Sequence, residues 1–566
     1  MSKSAQKITA GAALVTRLGQ LGVEYIFANS GTDFPPIIEG LAEAASKDLP
    51  LPKAITVPHE TAAVAMAHGY TLATGRAQAV MVHTNVGLAN AAIGAINARA
   101  DNVPMLLFSG RTPTTEQGRF GSRTVPIGWG QEMRDQHALI REACKWDYEL
   151  RYPEQVSEMT DRAHGIAGSI PKGPVYMSLP REVLCETVAP PTGSAQMKPS
   201  TTMAQKKEIE EAASLIANAK HPVIFAQRGA GSNAAFEALG LLVETWAIPV
   251  CQYWALQLAI ATDHPMATGP DPGPLLDEAD VIVVLDALAP WSPDSHHPRE
   301  DATIIQIGQD PLFAQTPVRN FRSDLSLGGD LSSNLLALCE ALKTHEPLGR
   351  EDRLKAIEAK NEASWAERDA KIVQDAKGPK LTKRWVSAEL ANLARREDAS
   401  IFAELGAQLP MMRLRHAHSW FESPHSGGLG FGFPAAMGYK LACPNRLVIA
   451  TVGDGSYMFS NPLACHQVAL SLGLSLLVVV LNNSEWGAVR QSVNALYPDG
   501  HAARTNKMPL TDLSPSPDFA GVAKACGAWS AEVRTQEDWQ NQLDAAKEHV
   551  LNNRGLALLD VEVARD

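Results

Sequence analysis

Two short aliphatic runs in the last third of the chain set the pattern for the rest. Residues 446–452 (RLVIATV) and 474–481 (LSLLVVVL) are apolar at nearly every position, the mark of a parallel strand covered on both faces. The stretch between them reads as a helix. Each run ends on turn-forming residues, Gly453-Asp454-Gly455 after the first and Asn482-Asn483 after the second. Both groups therefore fall at the carboxyl ends of parallel strands, where open α/β sheets bind ligands. The pattern recurs upstream. Residues 22–31 (GVEYIFANSG), 77–85 (AQAVMVHTN), 102–110 (NVPMLLFSG) and 173–183 (GPVYMSLPREV) read as strands ending in turns, with a helix over 61–74. A polar stretch at 189–202 (APPTGSAQMKPSTT) predicts a linker. The alternation restarts with 221–233, 280–291 and 302–311. Residues 346–380, dominated by Glu, Lys, Asp and Ala, predict a solvated helix, and a third alternating unit begins near 381. The expected fold is α/β: three consecutive doubly wound parallel-sheet domains over 1–188, 203–345 and 381–566.

Composition narrows the function classes. At 566 residues the chain exceeds what one core supports. A net charge of −12 argues against a nucleic-acid partner and gives no reason to expect an anionic membrane surface. No run approaches the roughly 20 apolar residues that span a bilayer. The N-terminal stretch, with Lys3, Lys7 and Arg17 spread through it, reads as an amphipathic helix and not as a signal peptide. Seven cysteines, an odd number without a C-x-x-C pair, predict reduced thiols in a cytoplasmic protein.

The glycine-flanked acid is the first candidate for chemistry. Glycines on both sides of Asp454 allow a tight turn that aims the carboxylate outward and turns backbone N–H groups toward a phosphate. Mg²⁺ takes oxygen ligands and is held by one or two protein groups plus phosphate oxygens. Asp454, an Asn side chain and one backbone carbonyl fill half of such a shell. Ser456 adds a hydroxyl at the start of the next helix. Asp-Gly and Asn-Asn are also common turn dipeptides, and either alone reads as a turn; joined by one helix and one buried strand, they point to a site.

The stretch 453–483 resembles the GDG…NN signature of thiamine diphosphate-dependent enzymes, slightly lengthened by Asn461-Pro462. By this resemblance Asp454, Asn483 and the backbone oxygen of Glu485 hold Mg²⁺, and Gly455 and Ser456 face the diphosphate. Residues 57–76 (VPHETAAVAMAHGYTLATGR) resemble the H-E-x-x-A-x-x-A-x-G-Y segment of the family's pyrimidine-binding domain. The implied catalytic acid is Glu60, set against the N1′ nitrogen of the cofactor in a dry pocket. Residues 426–444 (SGGLGFGFPAAMGYKLACP) resemble the cofactor-gripping loop, with Gly427 offering a carbonyl and Leu429 an apolar wedge. Gly406, Ala407 and Gln408 follow a strand and are expected near the diphosphate.

On the substrate side, residues 27–37 and 82–94 resemble loops of benzoylformate decarboxylase and acetolactate synthase. His83 matches a catalytic His of the decarboxylase, and Thr32 a substrate-contacting Ser. An imidazole titrates near neutral pH and moves protons; a structural His is the alternative. His425, Glu485 and Trp486 are further substrate candidates, although Glu485 would also serve through its backbone alone. His59, His416 and His418 flank the same segments. The resemblance implies pyrimidine-binding, central and diphosphate-binding domains. It also implies thiamine diphosphate and Mg²⁺ as cofactors, and a homodimer or homotetramer with shared active sites. The activity it implies is cleavage or formation of a C–C bond beside the carbonyl of a 2-oxo acid, with decarboxylase and carboligase both open. A 2-hydroxyacyl-CoA lyase and a nucleotide-sensing scaffold are the alternatives. No flavin signature is visible, and a nucleotide or CoA ligand in the central domain stays open.

Overall fold

A computed structural model of the chain describes residues 7–552 and 554–565; residues 1–6 and Asp566, the outer ends of the first and third expected domains, lie outside them. Three parallel sheets follow one another. The first holds Tyr25–Ala28, Lys53–Thr56, Gln78–Val82, Met105–Arg111, Asp147–Glu149 and Pro174–Pro180. Numbered along the chain within the sheet, these strands lie side by side as 2-1-3-4-6-5, each neighbouring pair parallel. The last sheet holds Ser400–Glu404, Trp420–Glu422, Val448–Gly453, Leu477–Asn482, Trp529–Val533 and Ala557–Glu562, and repeats that order with parallel pairs throughout. Between them lies a five-stranded parallel sheet ordered 2-1-3-4-5, from Pro222–Ala226 to Leu325–Gly328. These are the doubly wound sheets expected from the aliphatic runs. Leu477–Asn482 (LVVVLN) is buried along its whole length, as a strand covered by helices on both faces must be.

The first and last sheets are locked together by two equivalent helices. Glu60–Thr74 and Gly432–Ala442 each follow the second strand of their sheet, and they pack against each other. Small residues make the approach possible. A Cβ on Gly69 would overlap the Ala435 carbonyl, and one on Gly438 would overlap the Met66 carbonyl. Both helices are apolar around most of their surface, so they sit inside one hydrophobic cluster shared by the two sheets. A second cluster joins the middle sheet to the last.

Helix Arg350–Asp375 spans the join as the charged composition predicts, burying only Arg353, Ile357 and Asn361. Residues 189–205 carry no helix or strand. All seven cysteines are free. Among the described residues no helix is long and apolar enough to cross a membrane.

Candidate active site

In both six-stranded sheets the strand order reverses between strands 1 and 3, and ligands bind at such switch points. In the last sheet the loops there carry Gln408 and Asp454, while strand 4 adds Asn483 beside them. Asp454 opens the short helix Asp454–Phe459. Its Oδ1 accepts the N–H of Gly455 at 2.9 Å, but its Oδ2 is buried without a partner. The Ser456 hydroxyl and the Asn483 amide nitrogen are buried and unpartnered as well. Asn482 is already committed. It donates to Asp560 at 3.2 Å and accepts from Ser516 at 3.0 Å. Of the paired amides, Asn483 is the one with a group to spare: its Oδ1 accepts the Glu485 N–H at 3.2 Å while its NH2 is unpartnered.

These residues line a cavity of about 820 Å³ with Gln408, Gly455, Glu485 and Trp486; Tyr253 and Trp254 of the middle unit and Arg368 of the long helix complete its walls. Glu485 turns one carboxylate oxygen to Arg490 at 2.8 Å, and its backbone oxygen accepts from Gly487 at 2.9 Å. Trp486 explains the second glycine of the turn, because a Cβ on Gly455 would fall inside its ring.

The cavity's chemistry suits a diphosphate bridged by a hard cation. Burial raises the Asp454 carboxyl above the usual range, a cost that a nearby cation relieves. Among the described residues no three His, Cys, Asp or Glu side chains form a metal cage. A cation here would lean on one carboxylate, an amide, a carbonyl and the phosphates themselves, as Mg²⁺ does.

The loop before helix Gly432–Ala442 is held from both sides. Its Gly428 carbonyl accepts from Asn97 at 2.9 Å, and Ser426 donates to Asn97 at 2.6 Å. Glu404, which the motifs did not single out, is fully enclosed and accepts the N–H groups of Gly430, Phe431 and Gly432 at 2.7, 3.0 and 2.7 Å. Burial pushes it up to about 7 against those three bonds. This carboxylate is what shapes the loop. Gly427, at φ 69°, faces open space, with Leu429 half-buried beyond it. His425 lies outside the cavity walls, its Nε2 2.9 Å from the Trp254 carbonyl.

Glu60, His83 and Thr32 gather at the switch point of the first sheet, and no described residue of that sheet's unit lies in the cavity walls. Glu60 is 6% exposed and opens its helix. Asn29 donates to one carboxylate oxygen at 2.9 Å and Asn90 to the other at 3.1 Å, neither singled out by the motifs. Gly87 keeps the acid's flank free, since a Cβ there would lie 2.9 Å from Oε1. His83 caps the next helix and bonds Asp33 through Nδ1. Thr32 is exposed, its carbonyl 3.5 Å from Arg181. Among the other histidines, His59 caps the Glu60 helix by accepting from the Thr61 N–H.

Twin doubly wound sheets, one ending in a buried acid and the other in a cavity with unpartnered polar atoms in its wall, fit an enzyme built around a diphosphate cofactor. Three family models match successive parts of the chain: thiamine pyrophosphate enzyme, N-terminal TPP binding domain (residues 8–139), central domain (209–338) and C-terminal TPP binding domain (404–561). The chain belongs to the thiamine pyrophosphate enzyme superfamily. It is 27% identical to acetolactate synthase isozyme 3 large subunit of Escherichia coli K12, over 98% of this chain and 95% of that protein. It is also 27% identical to the "Probable 2-ketoarginine decarboxylase AruI" of Pseudomonas aeruginosa, over 98% of this chain and 94% of that protein. Among solved structures, the thiamine diphosphate-dependent 4-hydroxybenzoylformate decarboxylase of Rhodococcus jostii RHA1 superposes with a TM-score of 0.79 at 24% identity, covering 99% of this chain and all of that one.

Proposed function

We propose that the chain is a cytoplasmic thiamine diphosphate- and Mg²⁺-dependent enzyme that decarboxylates a 2-oxo acid. The observation that supports it best is the set of unpartnered buried atoms on Asp454, Ser456 and Asn483 in one cavity, matched by the doubly anchored Glu60 in the other sheet. Asp454, Asn483 and the Glu485 backbone oxygen would hold Mg²⁺; Gly455, Ser456 and Gln408 would hold the diphosphate. Gly427 and Leu429 would grip the rings. Thiamine diphosphate supplies a nucleophilic carbon and an electron sink beside the substrate carbonyl. Asn29 and Asn90 hold the Glu60 carboxylate in one orientation, where it would bond a ring nitrogen of the bound cofactor. His83 gives and takes the substrate's proton. Trp486 and Tyr253 would give the substrate an apolar wall in the cavity.

Because the cavity walls lack the first unit, the working site forms between two copies: the Glu60 face of one against the Asp454 cavity of the other. The ionisable His83 favours proton delivery, hence decarboxylation. Carboligation is the second reading, favoured by the likeness to acetolactate synthase. A thermal shift with coenzyme A, and turnover with and without an aldehyde acceptor, separate these from an acyl-CoA lyase. For the cofactor site, Asp454→Ala should weaken Mg²⁺-dependent thiamine diphosphate binding at least tenfold in calorimetry while leaving the circular dichroism unchanged. Unaltered affinity would sink the assignment.

A further inference from the structure

The switch point of the first sheet holds a carboxylate, an imidazole and an amide in a row. His83 leaves strand Gln78–Val82 and starts helix Thr84–Ala100. Its Nδ1 bonds to Asp33 Oδ1. The other Asp33 oxygen accepts the backbone N–H of Thr84 at 3.2 Å. Asp33 is 8% exposed. Two glycines make room for the pair: a Cβ on Gly110 would collide with the Asp33 carboxylate, and one on Gly31 with the His83 ring. Thr84 sits at φ 34°, a strained setting kept only where the surroundings demand it. On the far side, His83 Nε2 lies 2.9 Å from the side-chain amide of Gln131.

We propose that Asp33 is the positioning residue of this site: it pins His83 with its proton on Nδ1 and leaves Nε2 to exchange a proton with the substrate. The inference rests on the reading of His83 as the acid–base group. A neutral imidazole carries one proton, and a carboxylate at Nδ1 accepts it there. Before substrate binds, Gln131 holds the Nε2 position in both states of the ring, and the substrate takes that place when it enters. Its N–H donates to a bare Nε2, and a half-turn of the amide presents the oxygen to a protonated one. The charged groups facing the ring are Asp33 and, more remotely, Glu60. The bond to Asp33 raises His83 above the ordinary imidazole value, and burial opposes it. The ring therefore keeps its acid form to a higher pH than a free imidazole.

The test uses the full chain without cofactor, labelled with ¹⁵N-histidine, and identifies the resonance with His83→Gln. The neutral wild-type ring should show the Nδ1–H tautomer, against the usual preference for Nε2–H, with a titration midpoint above 6.5. Asp33→Asn should lower that midpoint and move the proton to Nε2, since an Asn amide donates to Nδ1. Gln131→Glu should raise the midpoint. A wild-type proton on Nε2, or a midpoint that Asp33→Asn leaves in place, overturns the proposal. If Asp33→Asn does not fold, the wild-type tautomer decides alone. Failure of the decarboxylase reading would appear separately, as absent turnover with the tautomer intact.

Discussion

His466 shows how strongly a single buried group is set by its surroundings. Its Nε2 bonds the Tyr457 hydroxyl at 2.6 Å, and Phe433 packs edge-on at 5.2 Å. Burial pushes its pKa down to about 4 from the ordinary 6.5. The unfolded chain therefore takes up this proton first, and folded stability falls as pH drops from 6.5 through 4. We predict that His466→Gln flattens this part of the profile, narrowing the difference in unfolding free energy between pH 7 and pH 4.5 by about 2 kcal/mol. Parallel denaturation profiles would refute this. Legibility at this scale depends on who the partner is. Asp454, Asn483 and Glu60 stand out as candidates in the sequence because flanking glycines, a strand end and a helix start lie in the same few residues. Asp33 carries no such local mark, since its partner His83 lies 50 positions away. Gln131 and Glu404 left no local signal, because their roles come from groups 48 and 26–28 positions away.

The elements follow the hydrophobic pattern wherever a strand is covered on both faces. Val281–Leu285 lies inside a run that the sequence marks as a strand, and Val448–Gly453 and Leu477–Asn482 overrun theirs by a single residue. The edge strands escape it. Asp147–Glu149 (DYE) and Val250–Cys251 are too short or too polar to carry a period, and Leu325–Gly328 is only part-buried. The shared order of the two outer sheets is also invisible locally, since pairing between distant strands decides it. The Glu60 and Gly432 helices cross where glycine is required. Gly438→Ala places a methyl against the Met66 carbonyl, and backbone cannot yield as a flexible side chain would. The expected cost is ~2 kcal/mol, read as a fall in thermal midpoint, with a surface Gly473→Asn change as the comparison at an already left-handed, open position. An unaltered midpoint would mean the two helices separate freely.

At the scale of the whole molecule, the family resemblance supplied both candidate halves of the site and their sharing between subunits, whereas the hydrophobic pattern alone puts them only at strand ends of separate domains. Each half is anchored independently: Glu60 by two amides of its own unit, Asp454 by its glycine turn and by Trp486 against Gly455. Neither half completes the other within the cavity of one chain. The central claim, a thiamine diphosphate site shared between two copies, is tested most directly by mixing subunits. Glu60→Gln chains and Asp454→Ala chains are each expected to be nearly inactive alone. After exchange at equal amounts, half the pairs are mixed, and each mixed pair carries one undamaged site and one doubly damaged site. Activity should return to about a quarter of the wild-type level for a two-fold dimer. No recovery, with exchange verified by differently tagged subunits, would contradict the shared site.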